Sequence, residues 1–289
     1  MTDFQAVILG IVQGVTEFLP ISSNAHLKIV PVFLGWQDPG AAFVAVCQWG
    51  TLLATLIYFR NDILQILLAK RSASPDADER QIGIHLLIPI IVGTIPVVVF
   101  GLLLRKQIER EFRSLYIMAG CMIFFALLLW LAEAQHRARK SLSEVSVADG
   151  LFVGVGQAFA LIPGASRSGT TITAALFTGL ERAAAARFSF LLSLPAIFAA
   201  GLFELWTKRH DIATSGMTRP LVIATVVSFV VGWASIDWLM KFLKHHPTHV
   251  FIAYRLLVGL ALLALLLSGR IQDTTGPNIV SVLAPVTSQ

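Results

Sequence analysis

Charge is scarce in this chain: Asp, Glu, Lys and Arg make up 13% of 289 residues, where a water-soluble domain carries roughly a quarter. With 56% hydrophobic residues and a mean hydropathy of +0.75, the composition is that of an integral membrane protein. Cysteine is nearly missing, and Cys47 and Cys121 both lie in apolar runs. That argues against a disulfide scaffold or a metal half-site and reads both thiols as small hydrophobes. No ten-residue alternation of apolar and polar positions suggests a barrel. The opening MTDFQAVILG has no basic n-region, so the N-terminus is expected to be retained. The net charge of +5 lies in short loops and forms no single stripe, which points to lipid headgroups and away from nucleic acid. Lys and Arg occur in nearly every loop (Arg60, Lys70 and Arg71; Arg105, Lys106 and Arg110; Arg137, Arg139 and Lys140; Lys208 and Arg209; Lys241 and Lys244). Charge bias therefore does not orient the chain by itself.

Six apolar runs are long enough to span a bilayer as helices, at about 41–59, 82–104, 114–132, 184–206, 221–240 and 250–268. Segments 4–35 and 147–180 differ: Pro20, Pro163 and several glycines cut them into pieces too short to cross. Each is predicted to be a re-entrant helical hairpin, tolerated because its irregular backbone is buried in protein. Connectors such as 70–81 read as polar loops, and 271–289 as a frayed polar tail. At an offset of 144, Gly10 falls on Gly154, Gln13 on Gln157 and Ser22 on Ser166. Each half then holds one hairpin and three spans, and an odd number of crossings turns the second copy upside down. The expectation is an all-α polytopic membrane protein, one integral membrane domain over 1–289. Its inverted repeats cover about 1–140 and 145–270, with a site where the broken helices meet near the midplane.

The first broken element, Leu9 to Leu27, places Gln13 and Glu17 on one helical face. One carboxylate and one amide suit a Mg²⁺ ion that takes its remaining ligands from water and phosphate. After Pro20 come Ser22, Ser23, Asn24 and His26, spaced so that the imidazole is in helical reach of either serine for nucleophilic or acid–base phosphoryl chemistry. The second element carries Gly164, Ser166, Arg167, Ser168, Gly169 and Thr171. A guanidinium at bilayer depth costs about 2.5–3.5 kcal/mol on the insertion scale, so Arg167 marks a functional site. Arginine binds phosphate bidentately, and glycines let backbone N–H groups approach its oxygens. Asp237 and Lys241 read as a structural pair, Arg255 as a snorkelling side chain, and Gln48 as a helix-packing polar group.

The stretches QGVTEFLPISSNAH, PGASRSGTT and GLERAAAARFSFLLSLP resemble the undecaprenyl-pyrophosphate phosphatases, or bacitracin-resistance proteins, over nearly the whole chain. The resemblance implies a bacterial plasma-membrane enzyme that removes one phosphate from the polyprenyl diphosphate carrier of cell-wall synthesis, at a site open to the outer face. It implies Gln13 and Glu17 as the metal-binding motif, with Mg²⁺ or Ca²⁺ as the cation. It carries the family's catalytic serine/histidine group onto Ser22, Ser23 and His26, and its phosphate-binding group onto Ser166, Arg167, Ser168 and Thr171. Asn24-Ala25 stands where the family has Thr-Gly, so a different local turn is expected. A transporter of a lipid phosphate is the rival reading, because secondary transporters use the same repeat architecture. The other class of membrane lipid phosphatase places a histidine and an aspartate soon after its Ser-Arg pair, and none follows Arg167 closely here. Nucleophile, metal identity and homodimer formation are left open.

Overall fold

A computed structural model describes residues 1–68, 83–104, 107, 114–214, 216–271 and 273; the side chains of 41, 211, 213 and 214 lie outside the description. The predicted loop at 70–81 and all but two residues of the 271–289 tail also lie outside it. The described residues form α1 (Asp3–Phe18), α2 (Ser23–Phe33), α3 (Gly40–Tyr58), α4 (Arg60–Leu67), α5 (Leu87–Leu103) and α6 (Leu115–Ala134). In the second half follow α7 (Val147–Phe159), α8 (Arg167–Phe177), α9 (Arg182–Thr214), α10 (Thr218–His245) and α11 (His249–Leu267). No strand is present among them. Five helices are long and apolar enough to cross a membrane, and α3 with α4 forms a sixth, bent by 70° at Phe59. Outward faces are apolar: Val222, Val226, Val230 and Trp233 form an exposed stripe along α10, as expected of a helix against lipid. The chain is a multi-pass membrane protein.

Helix α4 was not expected from the sequence, where Arg60 read as part of a loop. Its Asp62 is buried and bonded by Arg187 Nε and Nη2 at 2.7 and 2.6 Å, so a tertiary ion pair holds this amphipathic turn in place. Lys208, Arg209, Lys241 and Lys244 likewise stand in helices, because α9 and α10 run beyond their apolar stretches.

The two halves repeat in detail. Helices α1 and α7 both open with capping boxes, Thr2 with Gln5 and Ser146 with Asp149, at positions 144 apart. Ala6, Gly10 and Gly14 bring α1 close to α10 of the other half, where a Cβ on Gly10 would lie 2.7 Å from the Ala224 carbonyl oxygen. Gly150 and Gly154 bring α7 equally close to Pro89 and Gly93 of α5. Small residues at this spacing let backbones pack where lipid provides no hydrophobic drive. Each hairpin thus docks on the second long helix of the opposite repeat.

The hairpins enter from opposite ends of the bundle. Asp3 pairs with Arg219 at the start of α10, whereas the second hairpin starts beside Lys140, near the buried Glu133 that binds Arg182 and Thr248. At about 1.5 Å per residue, α1 and α7 are about 24 and 20 Å long, short of a bilayer's roughly 30 Å core. Both chains therefore turn inside the protein, and their tips meet.

Candidate active site

Each tip ends in a backbone conformation that a non-glycine residue rarely adopts. Ser22 has φ 79° and Ser166 φ 71°, the two non-glycine residues with positive φ among the described residues. Such conformations cost on the order of 1–3 kcal/mol and gather at functional sites. The turn before α2 therefore takes its positive φ at Ser22, while Ala25 lies buried inside α2 in helical geometry. The Asn24-Ala25 departure is harmless for that reason. Gly164 supplies the other left-handed residue, φ 92°, and a Cβ there would lie 2.4 Å from the Met118 carbonyl oxygen.

Beyond each strained serine a helix begins, so the N-termini of α2 and α8, with their partial positive charge, face the same region. Ser168 Oγ donates to the Leu19 carbonyl at 3.0 Å and ties one tip to the other. Arg255 ties them more firmly. It is completely buried, and its guanidinium donates to the carbonyls of Pro20 (3.3 Å), Gly164 (3.0 Å), Ala165 (2.9 Å), Cys121 (3.3 Å) and Met122 (3.2 Å). The expected snorkelling does not occur, because five carbonyls left over by broken helices and by α6 replace the hydration that the cation gives up. Gly169 makes room for it: a Cβ there would lie 2.5 Å from Arg255 Nη1.

Glu17 is the hub of the polar cluster. Its Oε1 accepts from Arg167 Nη2 of the other hairpin, and its Oε2 accepts from Ser23 Oγ at 2.6 Å and from Gln13 Nε2 at 3.0 Å. The carboxylate is buried, while Arg167 is partly open to a cavity of about 160 Å³. Glu17, Ser22, Ser23, Gly164, Ser166 and Arg167 all line that cavity, so the predicted carboxylate, serines and cation converge. Its other walls come from Val97 of α5 and Ala196, Ile197 and Ala200 of α9.

Other predicted residues stand elsewhere. His26 forms no bond to a serine hydroxyl: Nδ1 donates to the Ser22 carbonyl at 2.7 Å, and Nε2, 2.7 Å from the Tyr254 hydroxyl, accepts from it. The helical spacing was correct, but α2 turns the imidazole toward α11 and away from the cavity. Thr171 is fully buried, its hydroxyl against the Arg167 carbonyl and Ser189. Ser168 is engaged as above, and the Gly169 N–H donates to Ser166 Oγ at 3.1 Å. These three brace the turn that presents Arg167. Gln48, read from sequence as a packing group, lines the cavity, as does Gln157, which the sequence singled out only as a repeat match. Asp237 and Lys241 pair at 2.6 Å as expected.

The donor set fits a resident divalent cation poorly. Glu17 is the one carboxylate here and both its oxygens are engaged; among the described residues no three His, Cys, Asp or Glu side chains assemble a metal cage. Gln13 Oε1, buried without a partner, is the remaining oxygen beside it. This pair suits a cation that arrives with phosphate ligands of its own.

Residues 6–261 match the family described as bacitracin resistance protein BacA. The chain is 50% identical to the undecaprenyl-diphosphatase of Chlorobium chlorochromatii over 94% of its length and 100% of that protein. It is 50% identical to the undecaprenyl-diphosphatase of Chlorobaculum tepidum and 52% identical to that of Chlorobium phaeovibrioides, covering 94% of this chain and 99% of each relative. Whole-length identity at this level, together with the converging motifs, places the chain in the BacA bacitracin-resistance family.

Proposed function

We propose that this protein hydrolyses undecaprenyl diphosphate to the monophosphate and inorganic phosphate, recycling the lipid carrier of cell-wall synthesis in the bacterial plasma membrane. The observation that carries this reading is the Ser23–Glu17–Arg167 contact across the two hairpins, at the edge of a cavity whose far walls are apolar. Arg167 spends Nη2 on Glu17, leaving the rest of its planar fork for phosphate oxygens. The N-termini of α2 and α8 add N–H dipoles aimed at the charge that grows in the transition state. Ser23 Oγ attacks the terminal phosphorus while Glu17 takes its proton. The bond to the bridging oxygen breaks, the lipid monophosphate leaves, and water releases phosphate from the serine. His26 holds the Ser22 carbonyl and so positions the turn. Glu17 and Gln13 Oε1 are the groups that would hold Mg²⁺ or Ca²⁺ brought in on the diphosphate, where the cation neutralises phosphate charge. The isoprenoid lies along the apolar walls of α5 and α9.

Tertiary structure also supports an orientation. Arg60, Arg137, Arg139, Lys140, Lys241 and Lys244 gather at the end where the second hairpin enters. By the positive-inside tendency that end faces the cytoplasm. The cavity, lined by Gln48 from the first half of α3 and Val97 from the second half of α5, lies toward the other, outer end.

Purified protein in detergent, which has no two sides, is expected to release inorganic phosphate from a polyprenyl diphosphate and to form a phosphoserine on Ser23 under rapid quench. Release of phosphate with no phosphoserine would give the attack to water. No release at all would favour a carrier and sink the hydrolytic reading.

A further inference from the structure

Gln157 lines the cavity of Arg167 and Ser23, is 1% exposed, and neither its Nε2 nor its Oε1 has a hydrogen-bond partner. Its repeat counterpart Gln13 is equally buried but gives its Nε2 to Glu17. At an offset of 144, the counterpart of Glu17 is Leu161. The second repeat thus carries the amide without the carboxylate that would engage it. An amide buried without a partner is costly, and Leu or Met would fill the same volume at no such cost. A group of this kind at the wall of a binding cavity is explained by a partner that arrives with the ligand.

We propose that Gln157 is a substrate-binding residue whose amide N–H donates to a non-bridging oxygen of the diphosphate, and that it favours diphosphate over monophosphate. This rests on the diphosphatase reading and adds a ligand to it. A diphosphate carries two phosphoryl groups, and the contacts already described, Arg167 with the N-termini of α2 and α8, converge on one. The second group needs donors of its own. A neutral amide suits that task, because a second cation on the lipid-bearing phosphate would hold the product as tightly as the substrate.

The test uses the full chain in detergent, a polyprenyl diphosphate as substrate and the matching polyprenyl monophosphate as competitive inhibitor. Gln157→Met keeps the volume and removes both polar atoms. Expected are a KM raised at least about tenfold, with kcat and the monophosphate inhibition constant within about threefold of wild type, as for one hydrogen bond to a charged ligand. The thermal unfolding temperature should be equal or higher, since an unpaired buried amide has gone. Gln157→Asn, which keeps the amide but withdraws it by one methylene, should also raise KM, and this variant decides the matter if the Met variant does not fold. An unchanged KM in an active variant overturns the proposal, whether or not stability falls, and so does an equal loss of affinity for monophosphate. A wild type that releases no phosphate would instead overturn the diphosphatase reading before Gln157 is reached.

Discussion

At the tip of the first hairpin the residue after the strained serine is Ser23, and at the tip of the second it is Arg167. The two stand at matching positions of the two repeats, each the first residue of a short helix that follows a serine with positive φ. Around them the backbone devices are duplicated: capping boxes at Thr2 and Ser146, close-packing small residues, a buried glutamine on the inner face. What differs is the chemistry. One copy carries the nucleophile and the carboxylate that accepts from it, whereas the other carries the cation and leaves Leu161 where Glu17 would be. A duplicated scaffold brings two equivalent helix N-termini to one point, and divergence at a few side chains makes that point asymmetric. Phosphoryl transfer needs this asymmetry, since a nucleophile and an anion clamp must face the same phosphorus from different sides.

Ways to break this division of labour rank by size. Ser23→Ala and Arg167→Ala should have the largest effects, each lowering kcat/KM in phosphate release by on the order of 10³-fold or more while the protein stays folded. Most of the activity surviving in Arg167→Ala would show that the second hairpin is not the anion clamp. Glu17→Gln keeps a hydrogen bond to Ser23 but removes the base; a fall in kcat of about 10²–10³-fold, without loss of solubility in detergent, is expected.

Arg255→Met attacks what holds the two tips together. It leaves five carbonyls without their donor, so unfolding temperature and kcat should fall together, with several kcal/mol lost by the rule for unsatisfied buried groups. An unchanged unfolding temperature would show the tips to be held by the helices alone. The smallest effect tests the strained serines themselves: Ser22→Gly should be more stable than Ser22→Ala by about 1 kcal/mol, because glycine alone tolerates φ 79° freely. Equal stabilities, read from thermal or denaturant unfolding, would mean that this turn relaxes easily.

Much of the site was visible in the primary structure, for a reason tied to the solvent. In hydrocarbon surroundings a glutamate, an arginine and a run of hydroxyls are expensive, so their presence in apolar sequence already marked the two hairpins. The misreadings concern direction. His26 and the serines were correctly placed within one helical turn, but the partners of His26 are a backbone carbonyl and Tyr254, 228 residues away. Arg255 was given to the membrane surface because its depth was legible and its rotation about α11 was not. Helix α4 was missed because Asp62 is held by Arg187, a contact invisible to any local pattern. Gln157 was noticed as a repeat match, while its lack of a partner emerged only once its neighbours were known.

Membrane residence, the helix inventory, the repeat and the list of reactive side chains follow from hydropathy, periodicity and breakers, all of them properties of short stretches of chain. Folding in three dimensions decided which groups meet: Glu17 with Arg167 and Ser23, Arg255 with both tips, His26 with Tyr254. Those pairings depend on how each helix is rotated when it packs against a partner more than a hundred residues distant, and no local signal encodes that rotation.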